Sequence, residues 1–101
     1  MVFGVIYEYA ERATGQSAYI GKAVGLYGHR KTLQAVHRRH MRGLAPVPFD
    51  FLLRKDECAF DLSVIDVLES GTGSTLQAIL KPMEKQRVRE RCPRYNCVRF
   101  A

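Results

Sequence analysis

The chain has 101 residues, with 16 Lys and Arg against 10 Asp and Glu, for a net charge of +6 and a pI near 9.6. That length fits a single domain over residues 1–101, burying roughly 60–70% of the surface of the unfolded chain. There is no apolar run long enough to span a membrane and no basic-then-apolar start of a secretory signal, so the expectation is a globular protein with an anionic partner, most commonly nucleic acid.

Phe3 to Tyr9 and Ala18 to Lys22 are rich in β-branched and aromatic residues, and Ala13-Thr14-Gly15-Gln16-Ser17 lies between them. This pattern predicts two strands joined in a hairpin. Strand side chains alternate faces, so Val5, Tyr7 and Tyr9 share one face of the first strand, and Tyr19 and Gly21 share one face of the second. A pairing that sets Tyr7 near Tyr19 places two phenols side by side. Gly21 then leaves bare backbone beside them, where a ligand can approach.

A two-glycine loop over residues 23–28 leads into a helix over 29–42, ended by Gly43. Leu33, Val36, His37, His40 and Met41 recur there at helical spacing. Arg30, Leu33 and His37 lie along one side, which puts Arg30 at the N-terminal edge of the sheet-facing surface; Arg38, Arg39 and Arg42 point elsewhere. A turn over 45–48 and an apolar cluster over 49–53, read as a short helical turn, follow. Residues 59–68 predict a third strand, with Phe60, Leu62 and Val64 on one face and Ile65 and Val67 on the other.

Ser74 is the expected cap of the last helix, with Leu76, Ile79, Leu80 and Met83 as its apolar stripe. Pro82 predicts an end near Lys81 and a restart to Arg91. The column Leu80-Glu84-Val88 sets the Glu84 carboxylate on an apolar face. Arginines cluster in 29–42 and 87–99, which favours a phosphate-tracking surface. Cys58, Cys92 and Cys97 are odd in number and offer no matched pairs for zinc. Reduced thiols in the cytoplasm are expected, nucleoid-associated or, in a eukaryote, nuclear.

The tripeptides Val5-Ile6-Tyr7 and Tyr19-Ile20-Gly21 resemble the two signature tripeptides of the GIY-YIG nuclease family. The second matches fully. In the first, Val5 stands where the family usually has glycine, and Gly4 lies one position earlier. The stretch Tyr19-Ile20-Gly21-Lys22-Ala23 is similar to the N-terminal nuclease domain of the UvrC repair proteins. The order hairpin, helix, strand, helix, tail follows the family arrangement over nearly the whole chain. The resemblance implies an α+β fold, a small three-stranded antiparallel sheet flanked by helices. It also implies a metal-dependent DNA endonuclease using one Mg²⁺ or Mn²⁺.

Carried over residue by residue, the resemblance makes Tyr7 or Tyr19 the general base, the two not being ranked. Arg30 becomes the phosphate-binding arginine, one residue late against the family pattern, with Arg38 as substitute. Glu84 becomes the metal ligand and Tyr95-Asn96 the terminal motif. Gln34 stands where many members have a histidine or tyrosine; His37, two turns after Arg30, can reach the same region, and Lys22 can handle a proton or bind phosphate. Gly21, Lys22, Arg38, Arg39, Arg42 and Asn96 are the expected nucleic-acid contacts.

The same residues admit other readings. Tyr7 and Tyr19 can be ordinary strand tyrosines, Glu84 an ion-pair partner of Arg30, His37 and His40 helix-surface residues, and Asn96 a turn residue. A catalytically inactive nucleic-acid-binding module, or a protein-interaction domain, is the alternative to a nuclease. No separate DNA-targeting segment is evident, so the expectation is that the chain cuts DNA, whether duplex, branched or single-stranded, with little sequence preference, reads structure or single strands, or borrows a targeting protein or domain.

Overall fold

The computed structural model describes residues 2–43 and 47–96. Part of the turn expected over 45–48, together with Cys97 and Arg99, lies outside the described residues. In order, the elements are β1 (Val2–Glu11), β2 (Ser17–Gly25), α1 (His29–Met41), α2 (Phe49–Lys55), a 3₁₀ turn (Glu57–Ala59), β3 (Phe60–Ser70) and α3 (Gly73–Arg91). The strands form one antiparallel sheet in the order β2-β1-β3. This is the expected α+β architecture.

β1 lies in the centre and is covered on both faces. Val5, Tyr7 and Tyr9 turn toward α1 and α2, where they pack with Val36, Phe49 and Leu53. Ile6 turns the other way and packs with Ile20, Leu76 and Leu80 under α3. Each of these apolar side chains contributes about 1.5–3 kcal/mol on burial. The β1–β2 hairpin turns at Gly15, which takes a φ of +74° that suits a residue without Cβ.

The β1–β3 register shifts between Ile6 and Tyr7, where Tyr7 pairs with Val64 and Ile6 with Asp66. This bulge alters the alternation expected along β3. Phe60, Leu62 and Val64 pack with the α1 side and Ile65 with the α3 side. Val67 instead pairs with Val5 and is half exposed.

α3 is continuous through Pro82 rather than broken there. Leu76 and Leu80 are buried, while Ala78 and Pro82 face solvent. Water can therefore take the Ala78 carbonyl that a proline cannot serve, and core packing offsets the local cost. The cap is Thr72, not Ser74: Thr72 Oγ1 accepts the Thr75 N–H at 3.3 Å.

β2 is an edge strand, and its outer edge is covered only at its start. The Arg94 and Tyr95 amides donate to the Ser17 and Ala18 carbonyls at 3.0 and 2.8 Å. Asn96 then uses its whole amide on Ile20: its Oδ1 accepts the Ile20 N–H at 2.6 Å and its Nδ2 donates to the Ile20 carbonyl at 2.7 Å. Asn96 thus acts as a surrogate strand residue. Among the described residues no strand covers the edge from Gly21 to Gly25.

Candidate active site

A cleft of about 240 Å³ lies beside that open edge, between α1 and α3. Side chains from both faces of the sheet reach it. Tyr7, Tyr19, Arg39 and His40 come from the α1 side, and Lys22 and Glu84 from the α3 side. Tyr7 pairs with Gly21 and Tyr9 with Tyr19, so Tyr7 and Tyr19 are diagonal neighbours, with ring centroids 6.3 Å apart. A Cβ on Gly21 would collide with the Tyr7 phenol. Glycine is required there so that the tyrosine can lie across the strand. The space is filled by Tyr7 and is not left open for a ligand.

Behind Tyr7 runs a buried chain of polar groups. His40 is 1% exposed and Asp50 2%. His40 Nδ1 lies 2.5 Å from Asp50 Oδ1, and His40 Nε2 lies 2.8 Å from the Tyr7 hydroxyl. With Nδ1–H donating to Asp50 Oδ1, Nε2 is left as an acceptor and Tyr7 is the donor. The Tyr7 oxygen then keeps a lone pair for the cleft. α1 positions the imidazole because Thr32, Val36 and His40, at spacing of four, form its buried stripe. The His40 ring also sits edge-on to Tyr7, Tyr9 and Tyr19, with centroids 5.5–5.8 Å away.

His37, singled out in the sequence, faces another groove. Its Nδ1 bonds the Tyr9 hydroxyl at 2.8 Å, and its Nε2 pairs with Glu57. Arg30 lines that same groove and not the cleft, and it is exposed. The arginine that lines the cleft is Arg39. The expected stripe Arg30-Leu33-His37 is rotated from the true buried one, and that rotation carries Arg39 to the cleft rim. Arg38 and Arg42 are exposed elsewhere on α1.

Glu84 is not paired with Arg30. Its carboxylate lies 3.8 Å from Lys22 Nζ, both side chains about a quarter to a third exposed. Burial raises the Glu84 carboxyl, and Lys22 partly opposes this. His40 and Asp50 are the site residues that sequence reasoning missed. A signal existed for each. His40 completes a four-residue periodicity from Thr32, and Asp50 is a lone acid inside the apolar run 49–53.

Three arginines of the second basic cluster, Arg87, Arg91 and Arg94, are structural. Arg87 makes a two-pronged contact with Asp66, at 2.9 and 3.0 Å, and also reaches Glu90. Arg91 binds the buried Glu8 at 3.1 Å, and Arg94 contacts Glu11 at 3.5 Å. These pairs tie α3 and the tail to the sheet. α1 is different: it carries Arg30, Lys31, Arg38 and Arg39 and no acid, which makes it a cationic helix.

No family model, curated protein or solved structure matches the chain. The site is therefore read from its own geometry. Among the described residues, no helix is long and apolar enough to cross a membrane. Nor do any three His, Cys, Asp or Glu side chains converge as a metal cage there. Glu84 alone still suits Mg²⁺ or Mn²⁺, because Mg²⁺ retains several waters and is commonly held by one or two carboxylates plus substrate phosphates.

Burial pushes the phenols of Tyr7, Tyr9 and Tyr19 upward. Tyr19 is raised to about 12, by burial first and then by the charges of Glu84 and Asp50. Tyr7 and Tyr9 are raised further, again mainly by burial. The folded state thus binds the phenolic proton more tightly than the unfolded chain does, whose ordinary value is 10.0. This contribution to stability is fully present below that value and is lost as pH rises through the folded values. Tyrosinate absorbance of Tyr7, Tyr9 and Tyr19 should therefore emerge well above the ordinary value of 10.0, with Tyr19 first. Ionisation of these three at the ordinary value in a folded protein would contradict the burial.

Proposed function

We propose that the protein is a phosphodiester hydrolase, a DNA endonuclease whose cleft seats the scissile phosphate between Lys22 and Arg39. The observation that carries this reading is the Tyr7–His40–Asp50 chain ending in a cationic cleft with a lone carboxylate. A phenol held far above neutrality is a poor base by itself, and the relay removes that difficulty. A water placed against the Tyr7 oxygen gives up its proton as Tyr7 passes its own to His40 Nε2. Asp50 holds the imidazole oriented and stabilises the imidazolium that forms.

The water oxygen bonds to phosphorus, and the bond to the leaving oxygen breaks. Arg39 donates charge-assisted hydrogen bonds to the phosphate oxygens as negative charge grows. Lys22, which lines the same cleft, gives a proton to the leaving oxygen, and the proton taken up by His40 returns through Tyr7 to solvent as the amine is reprotonated. Tyr19, stacked on Phe49 with ring planes 2° apart, presents a fixed hydroxyl edge to the cleft. Glu84 would hold a divalent ion, which when bound supplies charge neutralisation on the phosphate and the leaving group.

A Mg²⁺-dependent plasmid-nicking assay tests this reading. Arg39→Ala should lower nicking by about 10²–10³-fold, the usual loss for one transition-state donor. Arg30→Ala should nick near the wild-type rate. The reverse result would return the phosphate role to Arg30. A wild-type protein that binds DNA but never nicks would leave the inactive binding module as the reading.

A further inference from the structure

Among the described residues, the uncovered edge of β2 does not end at the cleft. A second groove of about 240 Å³ continues past it and shares Ala23, Val36 and Arg39 as lining. At its far end stand Leu26, 62% exposed, and Tyr27, 78% exposed. Two large apolar side chains held in water at consecutive positions contribute nothing to the core. Lys31 Nζ lies 5.7 Å from the centroid of the Tyr27 ring, within cation–π range. Cations border the whole path: Lys22 and Arg39 at the cleft, Arg39 and Lys31 beyond it.

We propose that this groove is a track for single-stranded nucleic acid, with Tyr27 as the platform on which an unpaired base stacks beside the cleft. The proposal rests on the phosphodiesterase reading and adds to it a preference for strands with unpaired nucleotides flanking the cut. A positively charged groove with an exposed aromatic ring is the arrangement that binds single strands with little regard to sequence. A paired base shows its neighbours, not its face, so a duplex gains little from Tyr27. Lys31 and Arg39 neutralise the backbone while the ring takes the base. The strand Lys22–Gly25 covers about 10 Å of this path, enough to separate the reacting phosphate from the stacked base.

The test is fluorescence anisotropy in EDTA with a labelled oligothymidylate and a duplex of equal length. Tyr27 is exposed and belongs to neither core cluster, so its variants should melt like wild type. Tyr27→Ala should weaken single-strand binding about tenfold and Tyr27→Phe hardly at all, as expected for stacking. Duplex binding should not respond to either change. Wild-type single-strand affinity in Tyr27→Ala, or an equal loss on duplex, would overturn the proposal and leave the phosphodiesterase reading standing. Failure of the wild type to bind either probe would overturn both.

Discussion

Tyr7→Phe should lower cleavage by about 10²–10⁴-fold, the range for loss of a positioned acid–base group, in a protein that remains folded. The ring keeps its packing against Tyr9, Tyr19 and His40, and only the hydroxyl is lost. His40 Nε2 is then left buried without its partner, which costs about 1–3 kcal/mol and should lower the melting temperature. Tyr9→Phe is the matched control. It removes the same hydroxyl from the same strand face and breaks the same type of bond, to His37, but in the other groove. Its cleavage rate should stay near wild type. Equal loss of activity in both variants would show that the hydroxyls act through the core rather than through the cleft.

Glu84→Gln should reduce Mg²⁺-dependent cleavage by at least about 10²-fold, with DNA binding in EDTA near wild type. Its effect on stability has a definite sign. The folded state raises the Glu84 carboxyl, mainly through burial, so the fold favours the protonated form. That preference stabilises the protein below the ordinary carboxyl range and is lost as pH rises through the folded value. At neutral pH the ionised carboxylate is therefore a liability, only partly relieved by Lys22 at 3.8 Å. Glu84→Gln should melt at or above the wild-type temperature. A well-folded variant that nicks at the wild-type rate would remove Glu84 from the metal role. A large fall in melting temperature would instead make the Lys22 contact structural.

The two proposals connect at Arg39. It lines both the cleft and the groove beyond, so it can hold the scissile phosphate or its neighbour. Salt should weaken binding through this residue and Lys31, because phosphate neutralisation releases counterions. Arg87, Arg91 and Arg94 should contribute little to that dependence, since their guanidinium groups already face carboxylates.

Strand and helix order, the shared face of Val5, Tyr7 and Tyr9, and the half-buried position of Glu84 were all legible in the chain alone. Each follows from a local period: two along a strand and 3.6 along a helix. The period also carried hints of His40. It could not choose between the stripe through Arg30 and His37 and the stripe through Thr32, Val36 and His40. Both are permitted by the same amphipathic segment, and only the contact with Tyr7 and Tyr9 sets the rotation of α1. Asp50 reaches His40 across ten residues, and Asn96 reaches Ile20 across 76, so neither pairing leaves a local trace. The charge of the arginines was likewise plain, but whether an arginine faces solvent or an acid is a property of packed elements. Composition thus determined that this protein is basic, and the order of its local periods that it is α+β. Only the tertiary structure decided which of its histidines and arginines share a cleft, because that depends on how one helix is rotated against one sheet.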